Sequence, residues 1–191
     1  MTPETNITEA VGARIRALLS EKPFIRVAID GPCGSGKSTL GARIAEAWNG
    51  NLFHMDDYYV PWAEKTPERL SQPGGNADWE RFRREVLEPD PGEDVVWRPF
   101  LCEAQALGEP VLTPARPVTV IEGSYSMHPG LRDRYDLSVF LRIDPEKQRA
   151  RILERNGPEG LAEFERMWIP LENAYFGALG IEDACDLVFR V

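Results

Sequence analysis

The sequence predicts an α/β fold, a parallel sheet with helices packed on both faces. Three observations predict it. Short apolar runs rich in β-branched residues recur at 24–29, 118–121 and 137–141, each the length of a strand buried on both sides. Between the runs, apolar residues return at helical spacing. The first run also passes directly into Gly31-Pro32-Cys33-Gly34-Ser35-Gly36-Lys37-Ser38, and a helix with Leu40, Ile44, Ala47 and Trp48 on one face follows from about Lys37.

That stretch fits G-x-x-x-x-G-K-[ST] in the context its chemistry requires. A strand, a glycine-rich turn and a helix aim backbone N–H groups and a helix N-terminus at an anion. Gly31, Gly34 and Gly36 allow backbone angles and close approaches that a Cβ would forbid. Lys37 is placed to reach the β- and γ-phosphates, and the Ser38 hydroxyl to ligate Mg²⁺. With Ser35 and Thr39 these residues form the expected site for a nucleoside triphosphate, ATP with Mg²⁺.

At 191 residues the chain fits one domain with a sizeable core. A net charge of −9 speaks against a general nucleic-acid or anionic-membrane surface, so a phosphate site must be locally basic on an acidic body. Cys33, Cys102 and Cys185 are unpatterned, which indicates neither a disulfide framework nor a zinc site and suits a reduced, cytoplasmic setting. Cys33 reads as a small residue at a free loop position. No apolar run approaches the ~20 residues of a membrane span, and the polar N-terminus does not resemble a signal peptide.

Taken in order, Asn6 and Glu9 resemble a capping box ahead of a helix whose face is Val11, Ile15, Leu18 and Leu19, with Pro23 ending it. After the P-loop helix, 52–55 is a second strand that runs into Asp56-Asp57-Tyr58-Tyr59. Carboxylates at the end of a strand beside a P-loop lie where ligands bind in open α/β sheets. One of them could accept a proton from a hydroxyl or hold Mg²⁺, and the pair also reads as a solvated turn. His54 suggests only a strand residue with a satisfied ring. Residues 60–76 are rich in Pro, Gly and charge, hence a loop or flap. Asp78 caps a short helix bearing Trp79, Phe82 and Val86, stopped by Pro89 and Pro91. Segments 95–100 and 110–113 look like an edge hairpin, because their prolines do not suit a central strand. Arg98 is either part of a substrate wall or an exposed edge arginine.

The third strand, 118–121, ends in Glu122-Gly123, and an acid there is what a metal-side carboxylate position supplies. The fourth strand, 137–141, leads to Asp144-Pro145, a cap and first-turn proline. That helix is expected to carry Arg142, Lys147, Arg149, Arg151 and Arg155, either a solvated face or a lid that closes on transferring phosphates. Asn156-Gly157-Pro158 should break it. A last helix with Leu161, Phe164, Trp168, Leu171, Tyr175 and Leu179 on one side is kinked at Pro170, and 186–190 is a fifth strand.

With these pieces in order, the sequence resembles the uridine kinase/phosphoribulokinase group of P-loop kinases from about Ile25 to Val191. The resemblance rests on IDGPCGSGKST, HMDDYYVP, VIEGSY, RYDLSVFLRID and the arginines from 149 to 155. It implies a single P-loop NTPase domain of the nucleoside/nucleotide-kinase kind. That domain is a three-layer sandwich with a five-stranded parallel sheet, an edge hairpin, a substrate-side insertion at about 60–115 and an arginine-bearing lid at about 149–160. It also implies roles. Asp56 would activate the acceptor hydroxyl and stand near the metal, Tyr59 would face the substrate, and Glu122 would lie beside Mg²⁺. Lys37, Arg151 and Arg155 would neutralise transferring charge, and Arg149 would help hold the nucleotide. The segment between the second and third strands departs from uridine kinases, so phosphotransfer to a small-molecule hydroxyl is expected while the acceptor stays open. A nucleotide or sugar-acid acceptor would call on Arg69, Arg81, Arg83, Arg84 or Arg98. A guanine-reading Asn-Lys-x-Asp segment is absent, which disfavours a GTPase-like switch. Little sequence follows the fifth strand, so the base is expected to be held by stacking and apolar contact, with either purine accepted.

Overall fold

The structure is a computed structural model that describes residues 3–191, with side chains from Asn6 onward. Helix α1 (Pro3–Leu19) precedes β1 (Ile25–Asp30), the P-loop and α2 (Lys37–Ala47). Asn6 therefore lies inside α1 rather than capping it, and Pro3 starts the helix, a position that needs no N–H donor. Strand β2 (Asn51–His54) ends in a 3₁₀ turn, Met55–Tyr58. The 60–76 segment has little regular structure beyond a helical turn, α3 (Pro67–Leu70). Helix α4 (Trp79–Phe82) is capped as expected, with the Asp78 side chain accepting from the Arg81 N–H, and it widens into a π turn at Arg83–Leu87.

Four short strands follow: β3 (Val95–Trp97), β4 (Phe100–Leu101), β5 (Ala106–Leu107) and β6 (Val111–Thr113). They pair antiparallel as β3 with β6 and β4 with β5. The expected edge hairpin is thus corrected: its ladders are closed on themselves and make no hydrogen-bonded pair with the main sheet.

Strands β7 (Val118–Glu122) and β8 (Leu137–Arg142) come next. Arg142 is the last residue of β8, not part of the following helix, and it pairs with Glu182. Helix α5 (Pro145–Glu163) carries Asp144 as cap and breaks at Gly157, whose φ of 72° and ψ of 179° leave helical space just before Pro158. A π turn, Phe164–Trp168, leads into α6 (Ile169–Leu179), and β9 (Leu187–Arg190) closes the sheet. Pro170 stands in the first turn of α6, directly after the π turn.

The five-stranded sheet has the order β2-β7-β1-β8-β9 with every pair parallel. All six residues of β1 are buried, because both faces of this central strand are covered. Alternation along the strands builds two cores. Ile25, Val27, Ile29, Val118, Val120 and Val139 pack under α1 and α2. Ala28, Phe53, Ile121 and Phe140 pack against Tyr58, Phe82, Tyr175 and Leu131 on the opposite face. Among the described residues, no helix is long and apolar enough to cross a membrane.

Candidate active site

The P-loop leaves β1 at its carboxyl end. Gly31 has φ 145°, and a Cβ on it would stand 2.4 Å from the Leu141 carbonyl oxygen, so the loop passes over β8 only with glycine there. Gly34 and Gly36, with φ of 76° and 95°, turn the chain into α2. Lys37 is buried and its Nζ donates to the Pro32 carbonyl at 3.0 Å. The Cys33 thiol is pushed up to about 12, by burial first, which makes it a poor thiolate and suits a small loop residue.

Two strand ends face this loop. Glu122, the last residue of β7, accepts from the Ser38 hydroxyl at Oε2 (3.1 Å) and from His54 Nδ1 at Oε1 (2.5 Å). The bond to Glu122 raises His54 above its ordinary value, against the opposing effect of burial. His54, for which the sequence suggests no role, therefore fixes the rotamer of the Glu122 carboxylate. Its place one strand over, in register with Glu122, is the only sequence signal that could have found it.

Asp56 and Tyr59 lie three apart in the turn after β2, and the Tyr59 hydroxyl donates to Asp56 Oδ1 at 2.7 Å. Both line the cavity, whereas Asp57 does not. Tyr125 enters from the loop after β7 with φ 78°, a left-handed conformation rare for a tyrosine. From the far side come Lys147, Arg151 and Arg155 of α5, Arg151 donating to the Gly34 carbonyl at 2.9 Å and Arg155 stacking on Phe164 at 5.6 Å. Together these groups enclose a cavity of about 940 Å³, near the upper end of the ~300–1,000 Å³ usual for ligand sites and roomy enough for two small molecules. Its charged lining is Lys37, Arg43, Lys147, Arg151 and Arg155 with Asp56, Glu122 and Glu172.

Two expected residues are not brought in. Arg149 turns away and pairs with Glu165 at 2.7 Å, because it stands two residues from Arg151 and hence on another helix face. Arg98 is tied within the small hairpins, its Nε donating to the Gly108 carbonyl at 2.7 Å. Lys147 is brought in with the lid cations, and Trp168 and Glu172 are among the cavity residues not anticipated in that role. Asp30 lies below the loop and was also unforeseen. It is fully buried and accepts from the Gly31 and Met127 N–H groups and the Tyr175 hydroxyl at 2.7, 2.9 and 2.8 Å.

The residues present fit a nucleoside triphosphate and Mg²⁺. Ser35 Oγ is buried in the loop and has no hydrogen-bond partner among the described residues, an acceptor-hungry group where a phosphate oxygen would sit. Ser38 and Glu122 offer two hard oxygens 3.1 Å apart. No cluster of three or more His, Cys, Asp or Glu able to hold a metal occurs among the described residues. That suits Mg²⁺, which takes one or two protein oxygens and completes its shell with phosphate and water.

The fold has counterparts. A Bacillus stearothermophilus structure provisionally described as a uridine kinase superposes with a TM-score of 0.69 at 18% identity, covering 94% of this chain and 99% of that one. A Silicibacter sp. structure provisionally described as a fructose transport system kinase gives 0.67 at 25% identity over 99% of both chains. In sequence, a Schizosaccharomyces pombe protein provisionally named a uridine kinase is 24% identical over 85% of this chain and 79% of its own. The resemblance to uridine kinase-like P-loop kinases holds. No protein-family model matches the chain. The likeness carries the three-layer P-loop architecture and a nucleotide-binding loop in its usual place.

Proposed function

We propose that this chain is a kinase that transfers the γ-phosphoryl group of ATP to a hydroxyl of a small molecule, in the manner of uridine kinase. The observation that carries the reading is one cavity in which the P-loop, the Ser38–Glu122 oxygens and the lid cations face the Asp56–Tyr59 pair. Bound Mg²⁺–ATP would supply the phosphoryl group, held by the loop N–H groups, Ser35, Lys37, Ser38 and Thr39, with Glu122 on the metal side. Tyr59 occupies Asp56 Oδ1, which leaves Oδ2 to accept the hydrogen bond of an acceptor hydroxyl. Asp56 then takes that proton as the oxygen attacks. Lys37, Arg151 and Arg155 neutralise charge that develops on the transferring oxygens.

ATP-dependent phosphorylation of a panel of nucleosides, sugars and small polyols tests the reading. Lys37→Ala should cut turnover about 10²-fold or more while leaving the fold intact. Near-normal turnover by the folded variant would mean that the loop does not hold the reacting phosphate.

A further inference from the structure

Glu172 is a charged group set where packing alone would place a leucine. It stands on α6 in the cavity wall at 6% exposure. Its Oε2 accepts from the Cys33 N–H at 2.9 Å and its Oε1 from the Ser124 hydroxyl at 2.6 Å. A carboxylate offers about four acceptor sites, so two are left. No cation pairs with it among the described residues. A buried carboxylate without a cation is costly, and more so beside a site for a polyanion.

Its surroundings define one end of the cavity. Asp56 and the rings of Tyr59, Tyr125 and Trp168 share that wall, and Tyr59 lies parallel to Trp168 at 6.2 Å between centroids. The basic side chains of the substrate-side segment are engaged elsewhere. Arg69 is bonded to the Gly75 and Ala77 carbonyls, and Arg81 to Asp78, Glu85 and the carbonyls of Asp57 and Arg98. Arg83 is held by Asp133, and Lys65 is taken up over the rings of Trp62, Trp168 and Tyr59 at 4.2, 5.4 and 5.5 Å. None of these residues lines the cavity, and neither does Arg84 or Arg98.

We propose that Glu172 is the specificity-determining residue of the acceptor end: it accepts hydrogen bonds from the acceptor, and its charge turns away acceptors bearing a carboxylate or phosphate. The acceptor class is an uncharged molecule rich in hydroxyl or N–H donors, with a flat or C–H-rich face for Tyr59 and Trp168. This rests on the kinase reading above.

Matched pairs that share the reacting hydroxyl and differ by a carboxylate test it: uridine against orotidine, and glycerol against glycerate. The wild type should favour the neutral member of any pair it uses by about 10²-fold or more in kcat/KM, since like charges brought together are strongly disfavoured. Glu172→Gln, which keeps the shape and one acceptor oxygen, should narrow that ratio by about tenfold or more while nucleotide Kd moves less than about threefold. Ser124→Ala removes the donor to Oε1 and should leave the ratio in place. Loss of nucleotide affinity in both variants with the ratio unchanged would make Glu172 a strut for the P-loop and overturn the proposal, as would equal use of the carboxylate member by the wild type. If nucleotide binds but nothing is phosphorylated, the kinase reading fails, and quenching of tryptophan fluorescence by the same four compounds still reports on Glu172 through Trp168. A preference of about tenfold for the neutral member then supports the proposal. Any smaller preference, absence of binding included, overturns it.

Discussion

Asp56 and Asp57 are neighbours, yet one lines the cavity and the other lies beside Arg81, which donates to its carbonyl. In an extended chain, alternation would separate them. The structure separates them differently, since Met55–Tyr58 is a 3₁₀ turn, in which residues three apart eclipse. That is why Tyr59 stands over Asp56 and donates to it. Asp57 is raised by burial first, against the opposing effects of His54 and Arg81, and it does not line the cavity. Asp56→Asn should lower kcat about 10²-fold or more, the scale of losing a positioned base, and Asp57→Asn should cost much less. The reverse order in measured kcat would move the base to Asp57. At this scale the P-loop, Glu122, Asp56 and Tyr59 were legible because each sits at a strand end in a motif. Glu172 left a weaker trace. It follows Trp168 by four residues and precedes Tyr175 by three, so it interrupts an apolar stripe, and a lone acid on such a stripe marks a buried carboxylate. Arg98 misled because nothing local in the sequence reveals which carbonyl captures a guanidinium.

At the scale of elements, the strands were readable within a residue or two, since burial on both faces writes continuous apolar runs. What the sequence does not show is how elements are tied together, and Asp30 shows why. It ends β1, but its partners belong to the P-loop, to the loop after β7 and to α6, more than ninety residues away in two of three cases. Burial pushes this carboxyl up to about 6, against three donated hydrogen bonds that favour the charged form. A raised carboxyl means that the native state holds its proton more tightly than the unfolded chain. Its contribution to stability is therefore greatest below the ordinary value near 4 and is lost as pH rises through 6. Asp30→Asn cannot titrate there. The stability of the wild type minus that of Asp30→Asn, from urea unfolding, should fall between pH 4 and 7 by up to about 3 kcal/mol, because each tenfold gain in proton affinity is worth ~1.4 kcal/mol. A difference that is flat or rises with pH would show that the hydrogen bonds outweigh burial.

For the whole molecule, the sheet divides the cavity as well as the core. Tyr59 and Tyr125 on its wall belong to the core that Phe53 and Ile121 build, while Ile7, Leu40 and Leu141 on the same wall belong to the core beneath α1 and α2. The P-loop runs between the two, over the carboxyl ends of the strands, where open α/β sheets bind ligands. The aromatic and acidic end suits the acceptor, which leaves the other end for the nucleotide base. The side chains there are Ile7, Leu40, Leu141 and Val191, with Arg43 beside them. Strong discrimination between bases requires buried polar groups that one base satisfies and another leaves unpaired, and four apolar side chains provide none. An arginine beside an aromatic base adds stacking, which either purine accepts. ATP and GTP should therefore serve as phosphoryl donors with kcat/KM values within about tenfold, a gap of less than about 1.4 kcal/mol. Measuring both donors with one acceptor decides it. A preference of about 10³ for either purine would mean that polar groups of this wall, Arg43 or the backbone, read the base edge.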